Sequence, residues 1–140
     1  MAQTIRQLMT PDPVTLPPSA TLVEAALAMR GAGTGDVVVT LDGQARAIVT
    51  DRDIVIRAVA EGLDPGETTL AEVANEQLVC LTPEQSVDEA VQLMRRLAVR
   101  RLPVVDEDDQ LVGILSLGDL AVELDPDSAL ADISAAPPNE

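Results

Sequence analysis

The chain has 140 residues, of which 46% are apolar, which places it in the size range of one compact domain with a genuine hydrophobic core. It contains no His, Lys, Phe, Tyr or Trp, so all nine basic residues are Arg, and imidazole bases, amine nucleophiles and aromatic stacking platforms are excluded. The formal net charge of −15 opposes nucleic-acid binding, whose affinity comes from clustered cations releasing counterions from the phosphate backbone.

From the N-terminus, Met1 to Met9 carries one Arg and no apolar h-region of a secretory signal, and no later run approaches membrane-spanning length. The expected location is therefore cytoplasmic, and the single Cys80, unable to close an intrachain disulfide, fits a reducing compartment. A short apolar stretch, Val14 to Leu16, reads as a strand. It leads through Pro17-Pro18 to a capping-box pattern, Thr21-Leu-Val-Glu24, that opens a helix with Leu22, Ala25, Ala26 and Met29 at helical spacing. Two β-branched runs follow, Val37 to Leu41 and Ala47 to Val49, joined by the hairpin signal Asp42-Gly43. A second helix is expected from Asp53 to Glu61, ending at Gly62.

The same order then recurs. Leu78 to Leu81 forms the strand, Ser86-Val-Asp-Glu89 the capping box, and Val87, Ala90, Val91 and Met94 the buried helix face. Leu102 to Val105 and Leu111 to Leu115 form a hairpin around Asp106 to Gln110, and a closing helix runs from Asp119 to Leu124. The repeat can be written residue by residue. A shift of 65 places Val14, Leu16, Pro18, Glu24, Ala25, Met29, Arg30 and Val39 on Val79, Leu81, Pro83, Glu89, Ala90, Met94, Arg95 and Val104. A shift of 66 then places Ile48, Thr50, Asp53 and Ile54 on Ile114, Ser116, Asp119 and Leu120. Neither repeat is large enough to bury a comfortable core alone, so the expected fold is α+β, a tandem β-α-β-β-α pair packed sheet to sheet with pseudo-two-fold symmetry. The expected boundaries are a first repeat at 1–62, a linker at 63–70, a second repeat at 71–125 and an acidic, disordered tail at 126–140.

At the end of each repeat a hydroxyl closes a strand and a carboxylate follows three residues later at the mouth of a helix: Thr50 with Asp53, and Ser116 with Asp119. Donor and acceptor groups thus share a rim with unpaired backbone N–H groups, which favours an anion. Plain helix capping explains the same pattern without any ligand. The phrases Ala47-Ile-Val-Thr50-Asp-Arg-Asp53 and Gly113-Ile-Leu-Ser116-Leu-Gly-Asp119, with Val99-Arg-Arg-Leu-Pro103-Val-Val upstream of the second, resemble the CBS domain family over residues 5 to 124. The resemblance implies a stand-alone CBS pair that binds an adenosine-type nucleotide (AMP, ADP, ATP or similar) as a regulatory ligand. Asp53 and Asp119 would hold ribose, Thr50 and Ser116 would face phosphate, and Arg52, Arg100 and Arg101 would supply the countercharge. It also implies a homodimer acting on a separate downstream protein, without catalysis. The competing expectation is a ligand-independent interaction or dimerisation module.

The two corners are unequal in sequence. The first has Arg52 but also Asp36, and Ala47 where the second has Gly113. Residues 1 to 70 carry a net −4 and residues 71 to 140 a net −11. No catalytic residue and no metal site is assigned. Asp106-Glu-Asp-Asp109 lacks the Gly and closing Glu of a calcium loop, Gly31, Gly33 and Gly35 have the wrong spacing for a dinucleotide fingerprint, and a phosphate-binding GxxxxGK is impossible without Lys.

Overall fold

The computed structural model describes residues 3–74 and 78–124, together with Asp127. It is a mixed α/β fold with two three-stranded sheets, arranged in two compact units. One unit is the continuous stretch from Pro13 to Leu78; the other joins the residues up to Asp12 to those from Val79 onward.

In the continuous unit, β2 (Thr15–Leu16) pairs in parallel with β3 (Asp36–Leu41), which pairs antiparallel with β4 (Gln44–Thr50). Asp42 and Gly43 make a two-residue turn with φ of 54° and 80°, the left-handed pair that a tight hairpin requires. Helix α2 (Leu22–Ala32) begins at Thr21, whose hydroxyl accepts from the Glu24 N–H at 3.2 Å, and stops at Gly33 with φ 68°. Leu22, Ala25 and Met29 are buried, whereas Ala26 of the expected face is exposed. The closing helix α3 (Asp51–Ile54) continues into a π-helical turn, Val55–Val59, in which the Ala60 N–H reaches back to the Val55 carbonyl at 2.9 Å. It starts two residues earlier than expected, because Asp53 occupies the third helical position of a capping box and not the first.

The second unit repeats this plan. Helix α5 (Val87–Leu97) is capped by the Ser86 hydroxyl, which accepts from the Glu89 N–H at 3.2 Å, and buries Val87, Ala90 and Met94. Strands β5 (Arg101–Val105) and β6 (Leu111–Ser116) form the hairpin, and α6 (Leu117–Leu124) closes it, again two residues early. The Asp106 carboxylate accepts from the N–H groups of Asp108 at 2.8 Å and Gln110 at 3.0 Å, so this acidic run is a turn held by its first residue. Leu81 replaces a strand with a single parallel bridge to Val104, its N–H donating to Pro103 and its carbonyl accepting from Val105.

The fold departs from the simple repeat in its leading segments. Short helices α1 (Ile5–Leu8) and α4 (Leu70–Val73) are equivalent under the 65-residue shift, yet each packs with the core of the other repeat. Ile5 is fully buried beside Leu81, Leu102 and Leu115, and Leu70 is fully buried beside Leu22, Val37 and Val49. The backbone bonds correspond one for one: Ile5 N–H to Gln85 and Leu70 N–H to Ala20, Arg6 to Pro83 and Ala71 to Pro18, Val87 to Gln3 and Leu22 to Thr68. The leading strand β1 (Thr10–Pro11) then pairs antiparallel with β6, Thr10 opposite Ile114 and Pro11 opposite Gly113. Apart from Asp127, the tail at 126–140 lies outside the described residues. Among those described, no helix is long and apolar enough to cross a membrane.

The close approach of β1 explains why the second repeat has Gly113 where the first has Ala47. A Cβ at Gly113 would lie 2.7 Å from Met9 Sδ and 2.9 Å from the Thr10 carbonyl oxygen. Gly113→Ala is therefore expected to lower stability by about 1–3 kcal/mol. Gly31→Ala, in α2 with nothing within 4 Å of the new methyl, should raise it by about 0.5–1 kcal/mol. Urea unfolding followed by far-UV circular dichroism measures both.

Candidate functional site

Each repeat ends in the same corner. In the first, the Asp53 N–H donates to Thr50 Oγ1 at 3.1 Å, and the Thr50 N–H donates to Asp53 Oδ2 at 2.9 Å. In the second, the Asp119 N–H donates to Ser116 Oγ at 3.0 Å, and the Ser116 N–H donates to Asp119 Oδ2 at 3.0 Å. Both are reciprocal capping boxes, so the capping role of these four residues is real. All four residues nevertheless remain half-buried. One carboxylate oxygen of each Asp serves the box, and among the described residues the other makes long contacts. Asp53 Oδ1 lies 4.0 Å from Arg57 Nε, and Asp119 Oδ1 receives Thr10 Oγ1 at 3.4 Å.

The backbone around the corners is also duplicated. The N–H of Asp51 donates to the Gly35 carbonyl at 2.9 Å, and that of Leu117 donates to the Arg100 carbonyl at 2.8 Å. This tie brings the start of β3 against the start of α3, and the start of β5 against the start of α6. Arg100 and Arg101 therefore stand at the second corner, Arg100 exposed and Arg101 half-buried opposite Ser116 in the ladder. Arg52 is exposed in the first turn of α3, its N–H bound to Asp51 Oδ1 at 2.8 Å. The Arg57 guanidinium is turned to the Val73 carbonyl at 2.9 Å.

Thr10 was missed by sequence reasoning. It lies 109 residues from Asp119 and reaches it only because the leading segment pairs with β6. The signal in the sequence was indirect, namely the Gly113 that makes room for it.

Cys80 is half-buried, and burial together with the nearby Asp109 carboxylate raises its thiol pKa above the usual cysteine range. The thiolate is the disfavoured form in the folded chain. Iodoacetamide at mildly alkaline pH is thus expected to modify Cys80 several-fold more slowly in the native protein than in urea, with mass spectrometry reading the rate.

The CBS domain family model matches residues 5–59 and again 70–125, and the chain belongs to this family. CBS domain-containing protein YhcV of Bacillus subtilis is 42% identical over 118 residues, 84% of this chain and 83% of that protein. The structure of CBS domain protein PAE2072 from Pyrobaculum aerophilum complexed with AMP superposes with a TM-score of 0.79 at 31% identity, covering 96% of this chain and all of that one. That of hypoxic response protein I, with two coordinated zinc ions, gives 0.76 at 34% identity over 85% and 97% of the two chains. In the present chain, no group of three His, Cys, Asp or Glu side chains among the described residues is placed to hold a metal ion.

Proposed function

We propose that this chain is a regulatory module that binds adenosine-type nucleotides at its two corners and acts on a separate protein without catalysis of its own. The observation that carries the reading is the duplicated hydroxyl–carboxylate box, whose four residues are only half-buried in both repeats. A cap needs one acceptor oxygen. A carboxylate fixed through one oxygen still offers the other to a ribose hydroxyl, already oriented. On this reading Asp53 and Asp119 hold ribose, Thr50 and Ser116 face the 5′ substituent, and Arg52, Arg100 and Arg101 set the local charge. The AMP complex of PAE2072, a relative of matching length, supports this ligand class. The module is further proposed to be cytoplasmic and to work as a homodimer, with ligand shifting the balance between two dimer arrangements by its differential affinity.

A second reading, an interaction module independent of any ligand, is favoured by one feature. The outer sides of the first repeat's helices expose Val23 and Leu27, along with Val55, Ile56 and Val59 at 53%, 51% and 60%, where α5 carries Asp88 and Gln92 at the positions matching Val23 and Leu27. The two readings separate in a thermal melt. Ligand at about 100 times its dissociation constant stabilises the native state by about 2.7 kcal/mol, so millimolar AMP should raise Tm by several degrees. No shift with AMP, ATP, adenosine or S-adenosylmethionine would leave the interaction module standing.

Paired variants isolate the carboxylates from their capping role. Asp119→Asn keeps an acceptor oxygen for the Ser116 N–H and is expected to hold stability within about 0.5 kcal/mol, whereas Asp119→Ala should lose about 1 kcal/mol. Both should weaken nucleotide binding at that corner about ten-fold or more in isothermal titration calorimetry. Unchanged affinity in the Asn variant would return Asp119 to capping alone.

A further inference from the structure

We infer that the two corners select ligands of opposite charge: the second takes a nucleotide bearing a 5′ phosphate, and the first takes an adenosine derivative whose 5′ substituent is neutral or cationic. This rests on the nucleotide reading above and refines it. The ladder register supplies the observation. Asp36 lies opposite Thr50, and Arg101 lies opposite Ser116. The two positions are equivalent under the 65-residue shift, so the side chain facing the corner hydroxyl is a carboxylate in one repeat and a guanidinium in the other. Residues directly opposite in an antiparallel pair point to the same side of the sheet with Cβ atoms about 5 Å apart, close enough to act on whatever the hydroxyl holds.

The neighbours deepen the contrast. At the first corner Asp51 opens the helix and its carboxylate lies over Gly35, where an added Cβ would be 2.9 Å from Asp51 Oδ2. The equivalent residues at the second corner are Leu117 and Arg100. Asp36, Asp51 and Asp53 thus bring three carboxylates to the first corner beside Arg52 and Arg57, the latter bound to the Val73 carbonyl and 4.0 Å from Asp53 Oδ1, while the second corner sets Asp119 with Arg100 and Arg101. A phosphate dianion beside Asp36 and Asp51 is repelled, and the same group beside two guanidiniums gains charge-assisted hydrogen bonds. The chain folds the same corner twice and reverses its sign, which lets one molecule respond to two adenosyl ligands separately.

Titration calorimetry with AMP and adenosine as probes tests this at low salt, on variants that keep one corner each. In Asp119→Asn, which leaves the first corner, adenosine is expected to bind about ten-fold tighter than AMP, and adding Asp36→Arg should reverse that order. In Asp53→Asn, which leaves the second, AMP should bind about ten-fold tighter than adenosine, and adding Arg101→Asp should abolish the preference. Should Asp36→Arg not fold by circular dichroism, Asp36→Asn should still tighten AMP about three-fold without changing adenosine. The same AMP-to-adenosine ratio at both corners, or ratios that the charge changes leave unmoved, would overturn the inference while preserving the nucleotide reading. Absence of any binding by either probe to the unmodified chain would overturn both.

Discussion

The reciprocal bond pair between a strand-terminal hydroxyl and a carboxylate three residues later is the constraint on which the rest of the structure depends. Thr50 with Asp53, and Ser116 with Asp119, each satisfy one orphan N–H at the helix start and the N–H of the capping residue itself. Strand exit and helix entry are thereby fixed to one geometry in both repeats. Everything nearby is placed by that corner. The Gly35 and Arg100 carbonyls meet the first helical N–H, the strand openings at Asp36 and Arg101 lie against the hydroxyls, and the helices return over their own sheets to bury Ala58 and Leu120.

The second constraint is the exchange of short helices. A 60-residue repeat of Val, Leu, Ile, Ala and Met has no aromatic side chain with which to fill its interior, and each unit completes its core with a turn of helix from the segment that precedes the other repeat. Ile5 and Leu70 are the largest contributions, both with no exposed surface. The same exchange delivers Met9 and Thr10 to the second corner, where they lie against Gly113 and Asp119. A device for core filling has become part of a candidate binding site, and a glycine on a buried strand is its cost.

Most of the architecture was legible because it follows local rules. The hairpin at Asp42-Gly43, the helices after Thr21 and Ser86, and the corner motif are each set by residues within four positions of one another, and the repeat made each reading twice. The exchange was not legible, for a physical reason. Thr4, Ile5 and Leu8 match Thr69, Leu70 and Val73 in type and spacing, and an apolar turn of helix carries nothing that says which of two similar cores it will enter. The contact of Thr10 with Asp119 was hidden for the same reason. The helices start two residues before Asp53 and Asp119 because the bond from each carboxylate back to the capping N–H demands the third helical position, which the residue types alone do not distinguish from the first.

Capping and ligand binding need not compete for these carboxylates. A surface Asp samples several rotamers, and a ligand that recruits it must first order it. Here the box orders it during folding, through Oδ2, and leaves Oδ1 at the rim. The residue is therefore retained for stability whether or not a ligand arrives, and its readiness to bind costs the complex little. Specificity is then free to reside in positions that do not hold the corner together. Gly35, Asp36 and Asp51 can become Arg100, Arg101 and Leu117 because the shared geometry at these positions is backbone: the Gly35 and Arg100 carbonyls take the first helical N–H, and Asp36 and Arg101 hold the same ladder register. A duplicated fold of this kind preserves its corners and varies their surroundings, which is the pattern that the two repeats display.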